Sequence, residues 1–373
     1  MKQSPELSTP SHGGNLDAIG LRYGVDPDDL LDFSANLNPL GPPPGLLTAL
    51  AAAASDVRGL ARYPDPDARG LRTALAERLD VEPEAIVIGN GAAALLSIVL
   101  IALRVRRCVV PVPAFSEDRH AVTAAGARWT CVSLDAARGF GLEPSRVVEM
   151  VRISGADACM LTNPHNPSGT LAERDVVLQL ADDARARGAV TIVDEAFIDY
   201  APKASVTRDA SLRAGLVTVR SLTKIFAVPA LRVGYAVAAP DLARKLHAAM
   251  PSWPITTLAE RALTAALADR SYLRRTLAEN AGTRSALSAD LIMLGLMPIP
   301  SAGNFLLVAL PSDAPRAAEL VHRLILDARI VVRDCSSYEG LEAGRHIRTA
   351  VRTTAENALL VEALKRVLQT PAQ

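Results

Sequence analysis

Lysine is scarce in this 373-residue chain: five lysines stand among 40 lysine and arginine residues. Where positive charge alone is needed the chain uses arginine, so each lysine is a candidate for chemistry that a guanidinium cannot do. Cysteine is also scarce. Cys108, Cys131, Cys159 and Cys335 have no C-x-x-C or other metal-ligand spacing, so no metal site is expected. Three of them, Cys108, Cys131 and Cys159, fall in apolar runs and read as reduced core residues of a cytosolic protein. Net charge is absent, with 40 acidic residues against 40 basic. No block of like charges points to nucleic acid or to a membrane surface. No run reaches the roughly 18 apolar residues that span a bilayer. Met1 to Pro10 is polar and has no apolar signal core. The expected location is the cytoplasm.

What is present is ample core: 49% of the residues are hydrophobic, enough for one large domain and a smaller one. Short β-rich runs occur at 85–88, 108–112, 129–134, 158–162, 190–193, 216–219 and 235–238. Helical patterns lie between most of them, at 92–103, 116–125, 143–153 and 173–187. Strands alternating with helices imply an α/β fold with a mostly parallel sheet of seven strands, covered on both faces. Ligands of such sheets bind beyond the carboxyl ends of the strands. After Pro240 the pattern changes to a helix from Asp241, a nearly continuous helical stretch over 258–294, strands at 304–309, 330–333 and 346–352, and a last helix at 354–368. This reads as a smaller α+β domain. The division expected is an N-terminal segment 1–44 belonging to the small domain, a large domain over 45–248, and a C-terminal small domain over 249–373.

The chemistry-bearing segments sit at strand ends. Lys224 closes Ser221-Leu-Thr-Lys224 after the strand at 216–219, and Arg232 follows eight residues later. An amine can lose its proton and form an imine, while Ser221 and Arg232 suit a phosphate beside it. Together they imply a Schiff base to pyridoxal phosphate. Taken alone, a lysine after a strand is more often a solvated loop residue. Asp194 ends Val190-Thr-Ile-Val-Asp194, where a buried acid needs a partner. A pyridinium nitrogen would be one, and a helix cap or metal ligand reads equally well. Asn163-Pro-His-Asn-Pro-Ser-Gly169 is a rigid loop from which Asn166 could donate to a ring hydroxyl. His165 within it reads as incidental. Gly91, Ala92 and Ala93 join a strand to a helix, where backbone N–H groups can meet a phosphate. Phe115 could stack on a planar cofactor, although an aromatic at such a place is more often core. Arg333 and Arg348 emerge from apolar strands of the C-terminal region and suggest two anionic groups on a substrate; for either alone, a surface ion pair is the default.

The Asn-Pro loop, strand-end Asp, Ser-x-x-Lys and downstream Arg occur in that order. Together they resemble the fold-type I pyridoxal-phosphate enzymes of the class I/II aminotransferase family, over nearly the whole chain. Within it, the likeness is to the L-threonine-O-3-phosphate decarboxylase group of cobalamin biosynthesis, and next to histidinol-phosphate aminotransferases. It is carried by His12-Gly-Gly-Asn15, Asp32-Phe-Ser-Ala-Asn-Leu-Asn-Pro-Leu-Gly41, Asp194-Glu-Ala-Phe-Ile-Asp-Tyr200 and Arg333-Asp-Cys-Ser-Ser-Tyr-Glu-Gly340.

The resemblance implies roles. Lys224 would bind the cofactor covalently and Asp194 would face the pyridine nitrogen. Asn166 would meet the ring hydroxyl and Phe115 would stack on the ring. Gly91, Ala92, Ala93, Ser221 and Arg232 would hold the cofactor phosphate, with Tyr63 reaching it from the partner subunit of a homodimer. Arg348 would bind a substrate carboxylate and Arg333 a substrate phosphate, with Asn36 and His12 completing the pocket. Two departures stand out. Phe197 replaces a tyrosine that aminotransferases usually have, as the decarboxylase group often does. The phosphate loop Gly91-Ala-Ala has no hydroxyl or carboxylate side chain, so backbone donors must suffice. The implied reaction is decarboxylation of O-phospho-L-threonine to (R)-1-amino-2-propanol phosphate. The alternative is an aminotransferase acting on a compound such as histidinol phosphate with 2-oxoglutarate. The same residues serve both.

Overall fold

The computed structural model describes residues 13–369, which divide into two compact units. The larger holds Leu37–Asn280 and Pro300–Asn304; the smaller holds the described residues up to Asn36, Ala281–Ile299, and those from Phe305 onward.

The larger unit is built on a seven-stranded sheet. Its spatial order is Ile86–Gly89, Gly234–Ala238, Leu216–Ser221, Val190–Asp194, Ala158–Thr162, Arg107–Val112 and Arg128–Ser133. Gly234–Ala238 runs antiparallel to both neighbours, and the other pairings are parallel. The expected mostly parallel, seven-stranded α/β architecture is therefore present. The central strands show no polar alternation because both faces are covered. Ala158 and Met160 join one hydrophobic cluster, while Cys159 and Leu161 join another. This is the period-two division of a strand between two covered faces. The helix Arg174–Arg185 supplies part of one cover, burying Val177, Leu178, Leu180, Ala181 and Ala184 on a single stripe.

The parallel connections bring Gly89, Val112, Thr162, Asp194 and Ser221 to the carboxyl edge of the sheet. Each is followed within a few residues by a candidate functional side chain.

The smaller unit carries a four-stranded antiparallel sheet in the order Arg333–Asp334, His346–Ala350, Phe305–Ala309 and Met297–Pro298. A separate short ladder pairs Leu31–Asp32 with Ile330–Val331 in parallel. The single strand expected at 330–333 is thus two, because the chain leaves one ladder after Val331 and enters the other at Arg333. The continuous helical stretch expected over 258–294 is also interrupted. Helices Thr257–Ala268 and Arg270–Met293 meet at Asp269. The Asp269 carboxylate accepts from the Tyr272 N–H at 2.9 Å and the Ser271 hydroxyl at 2.7 Å, starting a new helix in the manner of an N-cap. Helices Arg69–Leu79 and Ala317–Ala328 are additional to those expected. Among the described residues no helix is long and apolar enough to cross a membrane.

Candidate active site

At the first strand end of the larger unit, Gly91 precedes the helix Ala92–Ala102 and has no side-chain cap to offer it. The first-turn N–H groups are therefore available to an anion. Gly91 has φ +85°, and a Cβ placed on it would lie 2.8 Å from Arg232 Nη2. Arg232 has the left-handed φ of +51° and donates from Nη1 to the Pro229 carbonyl at 3.3 Å. Gly234 sits under the same turn, where a Cβ would meet Ala92 N and Arg220 O at 2.7 Å each. Gly91, Ala92 and Arg232 are thus brought together around a cradle that side chains at two glycines would fill, with Ala93 in the first helical turn. Backbone N–H groups and one guanidinium are donors suited to a phosphate.

Asp194 is buried, and its Oδ1 accepts from Ala196 N–H at 2.9 Å. Burial pushes its carboxyl up to about 6; the Ala196 hydrogen bond pulls it down, Glu195 pushes it further up, and the Lys224 charge pulls it down. Lys224 is therefore close enough for its charge to act on Asp194. It sits in the short helix Leu222–Ile225, which Ser221 starts by accepting from Thr223 N–H. The Ser221 and Thr223 hydroxyls are 2.8 Å apart.

The Asn-Pro loop is tied to the Asp194 strand, since Asn163 N–H donates to the Asp194 carbonyl at 2.9 Å. The Asn163 amide exchanges two hydrogen bonds of 2.9 Å with the Ala172 backbone. His165 lies 2.7 Å from both Ser168 Oγ and the Pro113 carbonyl. Burial pulls its imidazole down to about 4, partly offset by the Pro113 bond. His165 is a neutral strut of the loop that presents the buried Asn166. Phe115 is half-buried before the helix Ser116–Ala124, and Phe197 is buried just beyond Asp194.

Asp118 and Arg220 were not singled out from sequence, whereas Glu195 was read as structural. Asp118, three residues after Phe115, is buried, and its Oδ1 has no partner among the described residues. Burial and then the charge of Asp194 push its carboxyl well above the usual range. An acid in the first turn of an amphipathic helix reads as a solvated end charge, which hid it. Behind Asp194, Glu195 is fully buried and accepts from Ser205 Oγ, Val206 N and Thr207 Oγ1 at 2.6–2.7 Å. Burial pushes the Glu195 carboxyl up, partly offset by the charge of Arg220, which also pairs with Asp199 at 2.7 Å.

Tyr63 is not gathered with these groups. It is 79% exposed and stacks on Trp253 with ring centroids 4.4 Å apart.

In the smaller unit, Arg333 and Arg348 are buried register partners on adjacent strands. Arg348 Nη2 donates to the Ser34 carbonyl and Nη1 to the Tyr338 hydroxyl, both at 3.2 Å. The Arg333 guanidinium lies 5.9 Å from the Tyr338 ring centroid. Tyr338 was visible only as part of the 333–340 segment, with no role apparent from sequence. Asn36 is buried, with no partner for its Oδ1 among the described residues. His12 lies outside the described residues.

A family model described as aminotransferase class I and II matches residues 28–364. The chain is similar to a threonine-phosphate decarboxylase of Salmonella typhimurium, with 34% identity over 369 residues, covering 97% of this chain and 98% of the relative. It is 30% identical over 373 residues to a histidinol-phosphate aminotransferase of Methanopyrus kandleri, covering 96% and 93%. In fold it is similar to the crystal structure of histidinol-phosphate aminotransferase from Sinorhizobium meliloti in complex with pyridoxal-5'-phosphate. That match has a TM-score of 0.86 and 24% identity, and covers 99% of each chain.

Proposed function

The chain belongs to the class I and II aminotransferase family and is a pyridoxal-phosphate enzyme of fold type I; on that premise we propose that it decarboxylates O-phospho-L-threonine to (R)-1-amino-2-propanol phosphate, a step toward cobalamin. The observation that carries the reading is the 34% identity shared with the Salmonella typhimurium threonine-phosphate decarboxylase over 97% of this chain. The buried Arg333–Arg348 pair supplies two cations for a substrate with two anionic ends, as it also would for the aminotransferase.

When bound, pyridoxal phosphate supplies an electron sink for the pair released as a bond to the substrate Cα breaks. In this proposal Gly91, Ala92, Ala93, Ser221 and Arg232 hold its phosphate, Phe115 covers its ring and Asn166 donates to its hydroxyl. Asp194, as a carboxylate, would face the pyridine nitrogen and keep a proton on it. Lys224 would hold the cofactor through its amine and carry protons to or from the substrate Cα. Arg348 would take the carboxylate and Arg333 the phosphate, with Asn36 beside them. Two anchors would fix rotation about the substrate Cα and so select which of its bonds breaks. Tyr63, exposed on the surface, would complete the cofactor site of the second subunit in a homodimer.

The 30% identity to a histidinol-phosphate aminotransferase favours a second reading, transamination of a phosphorylated amine. One experiment separates them. Holoenzyme is given O-phospho-L-threonine alone, and separately histidinol phosphate with 2-oxoglutarate. Carbon dioxide release without any oxo acid is expected. Glutamate formation with no carbon dioxide would establish the aminotransferase instead.

A further inference from the structure

We propose that Asn38 is a positioning residue for Lys224, holding the carbonyl end of the lysine's turn through its main-chain and side-chain N–H groups. The inference rests on the role given to Lys224 above. That lysine stands in a helix of four residues, Leu222–Ile225; the Ala227 N–H closes on its Lys224 carbonyl at 3.3 Å, and further support for the end of so short a turn comes from elsewhere in the chain. Ser221 secures the amino end. At the other end, Asn38 N–H donates to the Lys224 carbonyl at 3.2 Å. Asn38 Nδ2 donates to the Ile225 carbonyl at 2.9 Å.

The amide is itself held. Its Oδ1 accepts from Leu40 N–H at 3.1 Å, which turns the nitrogen toward the lysine's turn. Nδ2 also lies 2.8 Å from Tyr272 Oη and 3.0 Å from Thr276 Oγ1. The Tyr272 hydroxyl donates to the Gly41 carbonyl at 2.6 Å, so it meets Asn38 as an acceptor. Asn38, Ile225, Tyr272 and Thr276 are all at most 4% exposed; no solvent replaces a lost bond here.

The position demands a donor and an acceptor on one short planar group. Aspartate would set an acceptor against the Ile225 carbonyl; an apolar residue would leave that carbonyl to the Tyr272 hydroxyl, 3.3 Å away. The consequence falls on the lysine because its long stem leaves the backbone of the turn as the anchor of the amine. A displacement of about 1 Å at a reacting group can cost on the order of 100-fold in rate.

The test uses full-length chain stripped of cofactor and then given pyridoxal phosphate. Condensation of the Lys224 amine with the cofactor aldehyde forms a C=N bond and releases one water, and its rate is followed by visible absorbance. Three variants are compared: Asn38→Asp, Asn38→Ser, and Leu180→Ala as a stability control. Leu180 is fully buried in the helix Arg174–Arg185. Asn38→Asp is expected to slow condensation at least about tenfold, and to lower kcat with KM within about twofold of wild type. Asn38→Ser, which loses the side-chain amide but introduces no carboxylate against the Ile225 carbonyl, should lie between. Leu180→Ala should lower Tm and condense at the wild-type rate. If the Asn38 variants lose Tm yet condense no more slowly than Leu180→Ala, Asn38 is only structural and the inference is overturned. Should Asn38→Asp not fold, the comparison of Asn38→Ser with Leu180→Ala decides. Failure of the Lys224 assignment looks different: wild type would then form no C=N absorbance, or Lys224→Ala would keep it.

Discussion

Arg333 and Arg348 are directly opposed residues of one antiparallel ladder, so both guanidinium groups leave the same side of the sheet. Tyr338 bridges them, its ring near Arg333 and its hydroxyl on Arg348. Two buried guanidinium groups on one side of a sheet suit an anionic substrate. Arg333→Met should therefore raise KM for a phosphorylated substrate by roughly 10- to 100-fold, the size of a lost charge-assisted hydrogen bond. Arg348→Met should weaken binding of any carboxylate substrate by a similar factor. Steady-state kinetics with O-phospho-L-threonine and L-threonine checks both. Equal loss on the two substrates in Arg333→Met would show that Arg333 does not read the phosphate.

Lys224→Ala should abolish turnover on either candidate substrate and remove the visible absorbance of the bound cofactor. Mass spectrometry after borohydride reduction should find the cofactor on Lys224 in wild type. Label on Lys203 or Lys245 instead would reassign the site.

Asp194 and His165 titrate in opposite senses in the cofactor-free protein. The Asp194 carboxyl is raised from 3.8 to about 6, so the native state holds a proton that the unfolded state has lost. Its contribution is full below pH 3.8 and is lost as pH rises to about 6. The His165 imidazole is lowered from 6.5 to about 4, so the unfolded state takes up a proton first. Its contribution is full above pH 6.5 and is lost as pH falls toward 4. In wild type the two oppose each other. Asp194→Asn should leave a protein whose stability falls more steeply on acidification below pH 6.5. Urea titrations at a series of pH values measure the slopes. Identical slopes in wild type and Asp194→Asn would show that folding leaves the Asp194 carboxyl unshifted.

Gly234→Ala should disturb the phosphate cradle, because the new methyl meets two backbone atoms at 2.7 Å and backbone cannot rotate aside. Overpacking of this kind costs about 1–3 kcal/mol, and cofactor affinity should fall with stability. Equilibrium dialysis of pyridoxal phosphate and thermal melting test this. Unchanged affinity would place the phosphate elsewhere.

Arg220→Met should destabilise the protein by roughly 3–5 kcal/mol, the usual cost of leaving a buried charge without its partner. Arg220 pairs with Asp199 at 2.7 Å and its charge also acts on Glu195, which is fully buried. Chemical denaturation measures it. A loss below about 1 kcal/mol would mean that solvent reaches the pair.

Much of the larger unit was legible because its signals are local. Apolar runs such as Ala158–Thr162 coincide with observed strands, and Lys224, Asp194 and Asn166 were marked by their strand-end positions. The breaks at Asp269 and Val332 were not legible. The first depends on a carboxylate closing on Ser271 and Tyr272. The second depends on which distant strand offers a ladder, Leu31–Asp32 or His346–Ala350. Asp118 and Asn38 were passed over for a related reason, since an acid in a first helical turn and an asparagine before a proline have ordinary local explanations.

By itself the sequence determined the covered parallel sheet and the family to which the chain belongs. Period-two burial, glycine turns and a motif order are properties of neighbouring residues, and scarcity of lysine drew attention to Lys224. Only the tertiary structure decided that Asn38, 186 residues earlier in the chain, holds the backbone of that lysine. It also set Arg333 opposite Arg348. Those relations are made by hydrogen bonds and ladders between segments far apart in sequence. Their energies depend on distances and burial that arise once the chain has folded.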